Sequence, residues 1–110
     1  MIFEINYNIA IVHQNQSSVL SLNKEFEQNF ELLQSKHVIL CLDETQQINK
    51  EFLSAISDLS NKFENNNRSF VVVSAALSSD DWPEDIALAP TQQEAKDIIE
   101  MDEMQRDLGF

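Results

Sequence analysis

Glycine, proline and cysteine are scarce in this chain, whose 110 residues include one glycine, two prolines and one cysteine. A single glycine is too few for the glycine-rich loops that cradle phosphates with backbone amides, so such loops are excluded. One cysteine cannot form an internal disulfide. Because Cys41 lies within the apolar run 38–42, we predict a buried and unreactive thiol, as expected in a reducing compartment.

Positive charge is also scarce, with seven lysines and arginines against 19 acidic residues and a formal net charge of −12. Nucleic acid and anionic membrane surfaces are bound through lysine and arginine, so both are disfavoured as partners. A basic protein partner and simple solubility each account for the acidic balance. The sequence shows neither a signal peptide nor an apolar stretch of membrane-spanning length, which predicts a cytoplasmic protein without membrane insertion.

Hydrophobic residues make up 43% of the chain, enough for the core of a single domain spanning residues 1–110. Five short segments are rich in apolar residues or alternate apolar with polar positions, which is typical of strands. These strands are expected at residues 3–6, 9–13, 37–42, 69–73 and 86–89. The first two are close enough in sequence for a tight turn at Tyr7 and Asn8 to join them.

Apolar residues spaced three and four apart predict three helices. The first helix, over residues 19–33, has one apolar face that consists of Val19, Leu22, Phe26, Phe30 and Leu33. The second helix ends at the three consecutive asparagines 65–67, because asparagine tolerates left-handed backbone geometry. The third helix begins at a capping box formed by Thr91 and Glu94 and continues to Arg106.

The order of these segments predicts the fold class. Helices that alternate with strands imply parallel crossovers, whereas the two initial strands form an antiparallel pair. The sequence therefore predicts an α/β fold, with a mixed sheet of about four or five strands and helices packed against it.

Three segments follow the pattern of a known family. An apolar strand ends in Asp43, residues 70–74 provide the next strand, and residues 90–95 have the form Pro-Thr/Ser-x-x-Glu-Ala of a helix start. With the element order, these segments make the chain resemble the STAS domain, the fold of bacterial anti-sigma factor antagonists and of the cytoplasmic tails of sulfate transporters. The closing residues 99–110 resemble those of short STAS-like proteins from Bacteroidetes. The resemblance implies a STAS-like fold over nearly the whole chain.

Residues 48–53 depart from the family's pattern at the junction of strand and helix. The family has an apolar residue there, followed by Asp, two hydroxyl residues and Gly, and phosphorylation of a hydroxyl switches partner binding. In this chain the last four of these positions hold Asn49, Lys50, Glu51 and Phe52. A lysine cannot be phosphorylated as a hydroxyl, so the resemblance implies a binding module that has lost this switch. A Lys50 that is merely a solvated side chain is the alternative.

The resemblance implies a protein-interaction module, a diverged anti-sigma factor antagonist whose partner is a regulatory protein or an anti-sigma-like kinase. Its predicted binding surface is the start of the second helix and the turn before it, formed by Thr45, Gln46, Gln47, Asn49, Lys50 and Glu51. The last helix is a second candidate surface, because Met101 and Met104 continue beyond its predicted core face. We expect core packing to account for at least one of these methionines.

Two other functions fit the composition: a domain that senses a small ligand such as a nucleotide or lipid, and a structural subunit of a homo-oligomer. An enzyme is disfavoured, because neither His13 nor His37 has a neighbouring pattern that would activate a hydroxyl or thiol nucleophile. The acidic cluster within residues 80–85 lacks the alternating ligand spacing of a calcium loop. No metal or other cofactor is therefore predicted.

Overall fold

One mixed sheet of five strands forms the centre of the computed structural model, which describes residues 2–14, 19–43, 48–75 and 82–109. The strands are β1 (Ile2–Asn6), β2 (Ile9–Gln14), β3 (His37–Leu42), β4 (Phe70–Val73) and β5 (Ala87–Ala89). They lie side by side in chain order. β1 is antiparallel to β2, and all the other neighbouring pairs are parallel. The predicted α/β fold with a mixed sheet is thus confirmed.

The first two strands form the predicted hairpin. Residues Tyr7 and Asn8 make the turn, and the last paired residues before and after it are Asn6 and Ile9. Tyr7 has a φ of 58°, the left-handed conformation that tight two-residue hairpin turns require. Its side chain is 93% exposed, and its carbonyl oxygen accepts a hydrogen bond of 3.2 Å from Lys36 Nζ. This hydrogen bond links the β1–β2 turn to the segment that leads into β3.

Helical segments cover both faces of the sheet. They are α1 (Val19–Gln28), α2 (Phe30–Leu33), α3 (Lys50–Asn65) and α4 (Gln92–Asp107). None of the helices in the described part of the chain is long and apolar enough to cross a membrane.

The single helix predicted over residues 19–33 is interrupted at Asn29, which separates α1 from α2. The Asn29 side chain donates a hydrogen bond of 2.8 Å to the Glu25 carbonyl oxygen, which also accepts from the Asn29 backbone N–H. Such local bonds between an asparagine side chain and the backbone compete with regular helix geometry. The periodicity of apolar residues does not record this competition, so the prediction of one continuous helix is wrong.

Helices α1, α2 and α3 pack on one face of the sheet, where they bury the larger part of the core. The sheet contributes alternate residues of its three central strands, namely Ala10, Val12, Val38, Leu40, Phe70 and Val72. Four phenylalanines of this layer are in ring contact: Phe26, Phe30, Phe63 and Phe70. This aromatic cluster joins all three helices to β4.

Helix α4 packs on the opposite face. Its buried residues Ala95 and Ile99 contact Ile11, Ile39 and Val71, which point away from the other three helices. Parallel strands covered on both faces are expected to be apolar throughout, and β3 and β4 have that composition. The sheet is therefore covered by α4 alone on one face and by three helical segments on the other.

The end of α3 and the start of α4 carry the predicted signals, and a glycine ends α4. Asn67, just beyond α3, has a φ of 59°, and Gly109, just beyond α4, has a φ of 79°. The Thr91 hydroxyl accepts a hydrogen bond of 3.2 Å from the Glu94 N–H at the start of α4. Asn67 and Gly109 adopt the left-handed conformation that commonly ends a helix. The Thr91 hydroxyl pairs with an N–H that has no partner within the helix.

Candidate functional site

The predicted binding surface lies partly within the described residues. Thr45, Gln46 and Gln47 lie outside them, in the segment that follows β3. Asn49, Lys50 and Glu51 are described, and they form the start of α3. The described part of the predicted binding surface therefore consists of these three residues.

Asn49 is the N-cap of α3. Its backbone is extended, with φ −124° and ψ 178°, and its Oδ1 accepts a hydrogen bond of 2.9 Å from the Phe52 N–H. Its carbonyl oxygen accepts the N–H of Leu53, the first bond of the helix, also at 2.9 Å. Phe52 is 1% exposed and anchors the first turn in the core. Asparagine and aspartate cap helices equally well, so Asn49 is suited to the position where the resembled family has aspartate.

Replacing Asn49 by alanine is expected to lower the free energy of unfolding by about 1 kcal/mol, because the Phe52 N–H would lose its acceptor. Asn49→Asp, which keeps an acceptor oxygen at the same position, is expected to retain the wild-type stability. Urea unfolding followed by circular dichroism measures both changes. Equal stability of the alanine and aspartate variants would show that the cap does not hold the start of α3 in solution.

Lys50 and Glu51 are both exposed in the first turn of α3. They line a shallow, open groove of about 440 Å³, together with Ser54 and Asp58 one and two turns further along and Asn23 of α1. Lys50 opposes the helix dipole at this end of α3, whereas Glu51 interacts favourably with it. The helix start thus presents one cation and one anion side by side, where a partner could contact them.

A polar cluster lies at the amino-terminal ends of the parallel strands, at the opposite end of the sheet from the start of α3. His37 is the first residue of β3, Ser69 immediately precedes β4, and the two are 1% and 2% exposed. They meet Asp102, Glu103 and Arg106 of α4. The sequence predicts His37, which stands alone on its strand, to be a packed or edge residue rather than a metal ligand. His37 is packed, and its polar partners come from distant parts of the sequence, because the amino ends of neighbouring parallel strands converge beneath the second half of α4.

His37 uses both of its ring nitrogens. Nδ1 accepts a hydrogen bond of 2.9 Å from the backbone N–H of Ser69, so the proton of the neutral ring lies on Nε2. Nε2 lies 2.7 Å from Glu103 Oε1, which also accepts a bond of 2.9 Å from Asn8 Nδ2 in the β1–β2 turn. Burial lowers the pKa of His37 below its usual value, against the opposing pull of Glu103. The cluster therefore requires an uncharged imidazole.

Ser69 and His37 are not arranged as a nucleophile and its base. The Ser69 hydroxyl donates to Asp102 Oδ2 at 2.7 Å and accepts from Arg106 Nη1 at 3.2 Å, and His37 bonds to the Ser69 backbone amide. A nucleophilic serine needs its hydroxyl proton directed at the base. These bonds, with the one between Glu103 and Asn8, connect the second half of α4 to the sheet and to the β1–β2 turn.

Other groups considered for chemistry are placed as follows. Cys41 is half-buried rather than fully buried, and burial raises the pKa of its thiol, which lowers its reactivity at neutral pH. Asp80 and Asp81 lie outside the described residues, whereas Glu84 and Asp85 are exposed. Among the residues that the structure describes, no group of three histidine, cysteine, aspartate or glutamate side chains is placed to hold a metal ion.

The methionines of the second candidate surface are both exposed. Met101 and Met104 are 60% and 61% exposed on α4, and Leu108, one turn further, is 70% exposed. The expectation that core packing accounts for at least one methionine is therefore wrong. The reason is that Ala95, Ile99 and the polar cluster occupy the sheet-facing side of the helix, which turns the methionines away from the core.

Comparisons with known proteins support the fold. No protein-family model matches the chain, and no curated protein matches it. The chain is similar to the NMR structure of the protein TM1081, with a TM-score of 0.68 and 17% sequence identity. The similarity covers 89% of this chain and 86% of that one. At this identity the likeness shows a shared fold over most of both chains.

Proposed function

We propose that this chain is a non-enzymatic, STAS-like protein-interaction module of the cytoplasm, a diverged anti-sigma factor antagonist without a phosphorylatable residue at the start of α3. The observation that carries this proposal is the exposed pair Lys50 and Glu51 on a helix start capped by Asn49. In the family that the sequence resembles, the corresponding helix start is the regulated contact surface.

The charge at this position favours constitutive binding. A phosphoserine carries about −1.5 to −2 charges and would repel an acidic partner, so phosphorylation at a helix start can switch binding off. Lys50 carries a permanent positive charge at that position and has no hydroxyl group that could be phosphorylated. The contact we propose is between Lys50 and an acidic group of a regulatory protein or an anti-sigma-like kinase, which would otherwise be repelled by a chain of net charge −12.

The proposal is tested by affinity capture from a lysate of the native host with wild-type protein and with Lys50→Glu. We expect the variant to lose a partner that mass spectrometry identifies on the wild type. The loss should not reflect unfolding, because a glutamate in the first turn of α3 is expected to stabilise the helix by about 0.3–1 kcal/mol. Lys96→Glu, which makes the same charge change on α4, is the matched control.

A partner lost in Lys50→Glu and retained by Lys96→Glu would support binding at the start of α3. A partner retained by both variants would contradict that location. If the wild type captures no protein, the interaction module itself is contradicted, and the ligand-sensing and homo-oligomer alternatives gain weight.

A further inference from the structure

A groove of about 990 Å³ runs between α1–α2 on one side and α3 on the other. Its apolar lining residues are Phe26, Phe30 and Leu59. Phe26 and Leu59 are only 1% and 5% exposed, so the half-buried Phe30 supplies most of the accessible apolar surface. Phe30 is half-buried and packs edge-to-face on the fully buried Phe63, with ring centroids 6.0 Å apart. The aromatic cluster thus gives the groove a firm apolar floor, and we call this surface the α1–α3 groove.

Acidic side chains border the α1–α3 groove. Glu27 and Glu31, one turn apart across the break between α1 and α2, lie on one wall, and Asp58 of α3 lies on the other. Lys62 is the one basic side chain among the lining residues. The remaining lining residues are uncharged, and four of them are asparagines, Asn23, Asn61, Asn65 and Asn66, whose amides both donate and accept hydrogen bonds. The groove therefore combines an apolar floor with an excess of negative charge.

These properties select one kind of occupant. A groove between two helices with an apolar floor accepts the apolar face of a third helix, whose flanking side chains then meet the groove's borders. Acidic borders disfavour phosphorylated ligands and anionic lipid surfaces. A second copy of this chain would bring another net charge of −12 against the same acidic side chains. Complementary charge instead favours a helix that carries lysine and arginine.

We infer that the α1–α3 groove binds a basic amphipathic helix of a partner protein. Apolar side chains of that helix pack mainly on Phe30, while its lysines or arginines pair with Glu27, Glu31 and Asp58. The groove that Lys50 lines at the start of α3 adjoins this one and shares Asn23 and Asp58 with it. Lys50 itself does not line the α1–α3 groove, and the inference does not depend on the function proposed above.

The probe is a short fluorescein-labelled helical peptide with leucine on one face and lysine on the other, and its affinity is measured by fluorescence anisotropy. Glu27→Lys/Glu31→Lys is expected to weaken binding about tenfold or more, because both exposed carboxylates border the groove. The matched control is Glu100→Lys/Asp107→Lys, which makes the same charge change on exposed positions of α4. We expect the control to keep its affinity within about threefold of the wild type.

Three results would overturn the inference. Equal loss in both double variants would mean general attraction to an acidic protein, and loss confined to the α4 variant would place the peptide beside Met104. Equal affinity for a peptide with glutamate in place of lysine would refute charge complementarity. Amide shifts in ¹H–¹⁵N spectra give a second readout, with the largest changes expected at Asn61 and Lys62. Lys50→Glu adds negative charge in the adjoining groove and should not weaken binding of the basic peptide, whereas it is expected to abolish partner capture in the test of the proposed function.

Discussion

Replacing Phe63 by alanine is expected to lower the free energy of unfolding by about 3–5 kcal/mol, the largest effect of any substitution considered. Phe63 is fully buried, and its ring centroid lies 6.4 Å from that of Phe26, 6.0 Å from Phe30 and 5.7 Å from Phe70. Truncation would remove buried apolar contacts and would leave a cavity among the three remaining rings, which belong to α1, α2 and β4. Since small domains are stable by about 5–15 kcal/mol, much of the stability would be lost.

Urea unfolding monitored by circular dichroism measures this loss, and Leu32→Ala is the control. Leu32 belongs to the neighbouring α2 but is 49% exposed, so its truncation is expected to change stability by no more than about 0.5 kcal/mol. If Phe63→Ala cost as little as Leu32→Ala, the aromatic cluster would not be the centre of the core. The floor of the α1–α3 groove would then not be rigidly packed by the aromatic cluster.

Replacing His37 by alanine is expected to lower the free energy of unfolding by about 1–3 kcal/mol, because the buried N–H of Ser69 would lose its acceptor. Glu103 would lose its partner in the same variant. His37→Asn supplies a short side chain with an acceptor oxygen near the position of Nδ1, so its stability is expected to lie closer to the wild type. Thermal unfolding at neutral pH compares the two variants, and equal loss in both would show that the acceptor at Nδ1 is not what matters.

The same residue predicts a loss of stability in acid. Burial lowers the pKa of folded His37, Arg68 and Arg106 lower it further, and Glu103 raises it, whereas the unfolded chain has the usual value near 6.5. Below that value the unfolded state binds more protons than the folded state. The contribution of His37 is therefore present above about pH 6.5 and is lost as the pH falls through the lower folded pKa. Protonation would also place a hydrogen on Nδ1, directly against the Ser69 N–H.

The pH dependence is measured by urea unfolding of the wild type and of His37→Asn between about pH 7.5 and about pH 5. The wild type should lose more stability over this range than the variant, because the carboxylates near the ring, Asp102 and Glu103, are common to both proteins. Parallel curves would exclude His37 as the source of the acid sensitivity. Amide exchange should show the second half of α4 opening first, since the cluster ties that half to the sheet.

The sequence predicts those parts of the structure that depend on local periodicity or on a single residue's geometry. The alternation at β1, the apolar runs of β3 and β4, the left-handed Asn67 and the cap at Thr91 are all of this kind. The break at Asn29 escaped prediction because a side chain competes there with the helix for the Glu25 carbonyl. Periodicity averages over a helix and does not register one such bond.

The polar cluster and the α1–α3 groove could not be predicted because they depend on elements that are distant in the sequence. His37, Ser69 and Glu103 become neighbours through the order of the parallel strands and through the position of α4. Of the predicted binding residues, Asn49 proves to be the N-cap of α3, a role that was not predicted for it from the sequence. The exposure of Lys50 and Glu51 follows from the amphipathic pattern of α3, whereas the groove beside them requires the packing of two helices.

The unequal lengths of the two outermost strands affect how this protein would associate through its backbone. β5 has three residues and β1 has five, and in the described part of the chain each pairs on one side only. A strand of three residues offers few unpaired amides and carbonyls to another chain, whereas a longer edge is a better template for strand addition. Glu4 places a charge in the middle of β1, a common means of discouraging such pairing. Substitution of Glu4 by an apolar residue would therefore remove a safeguard against aggregation at the one edge long enough to need it.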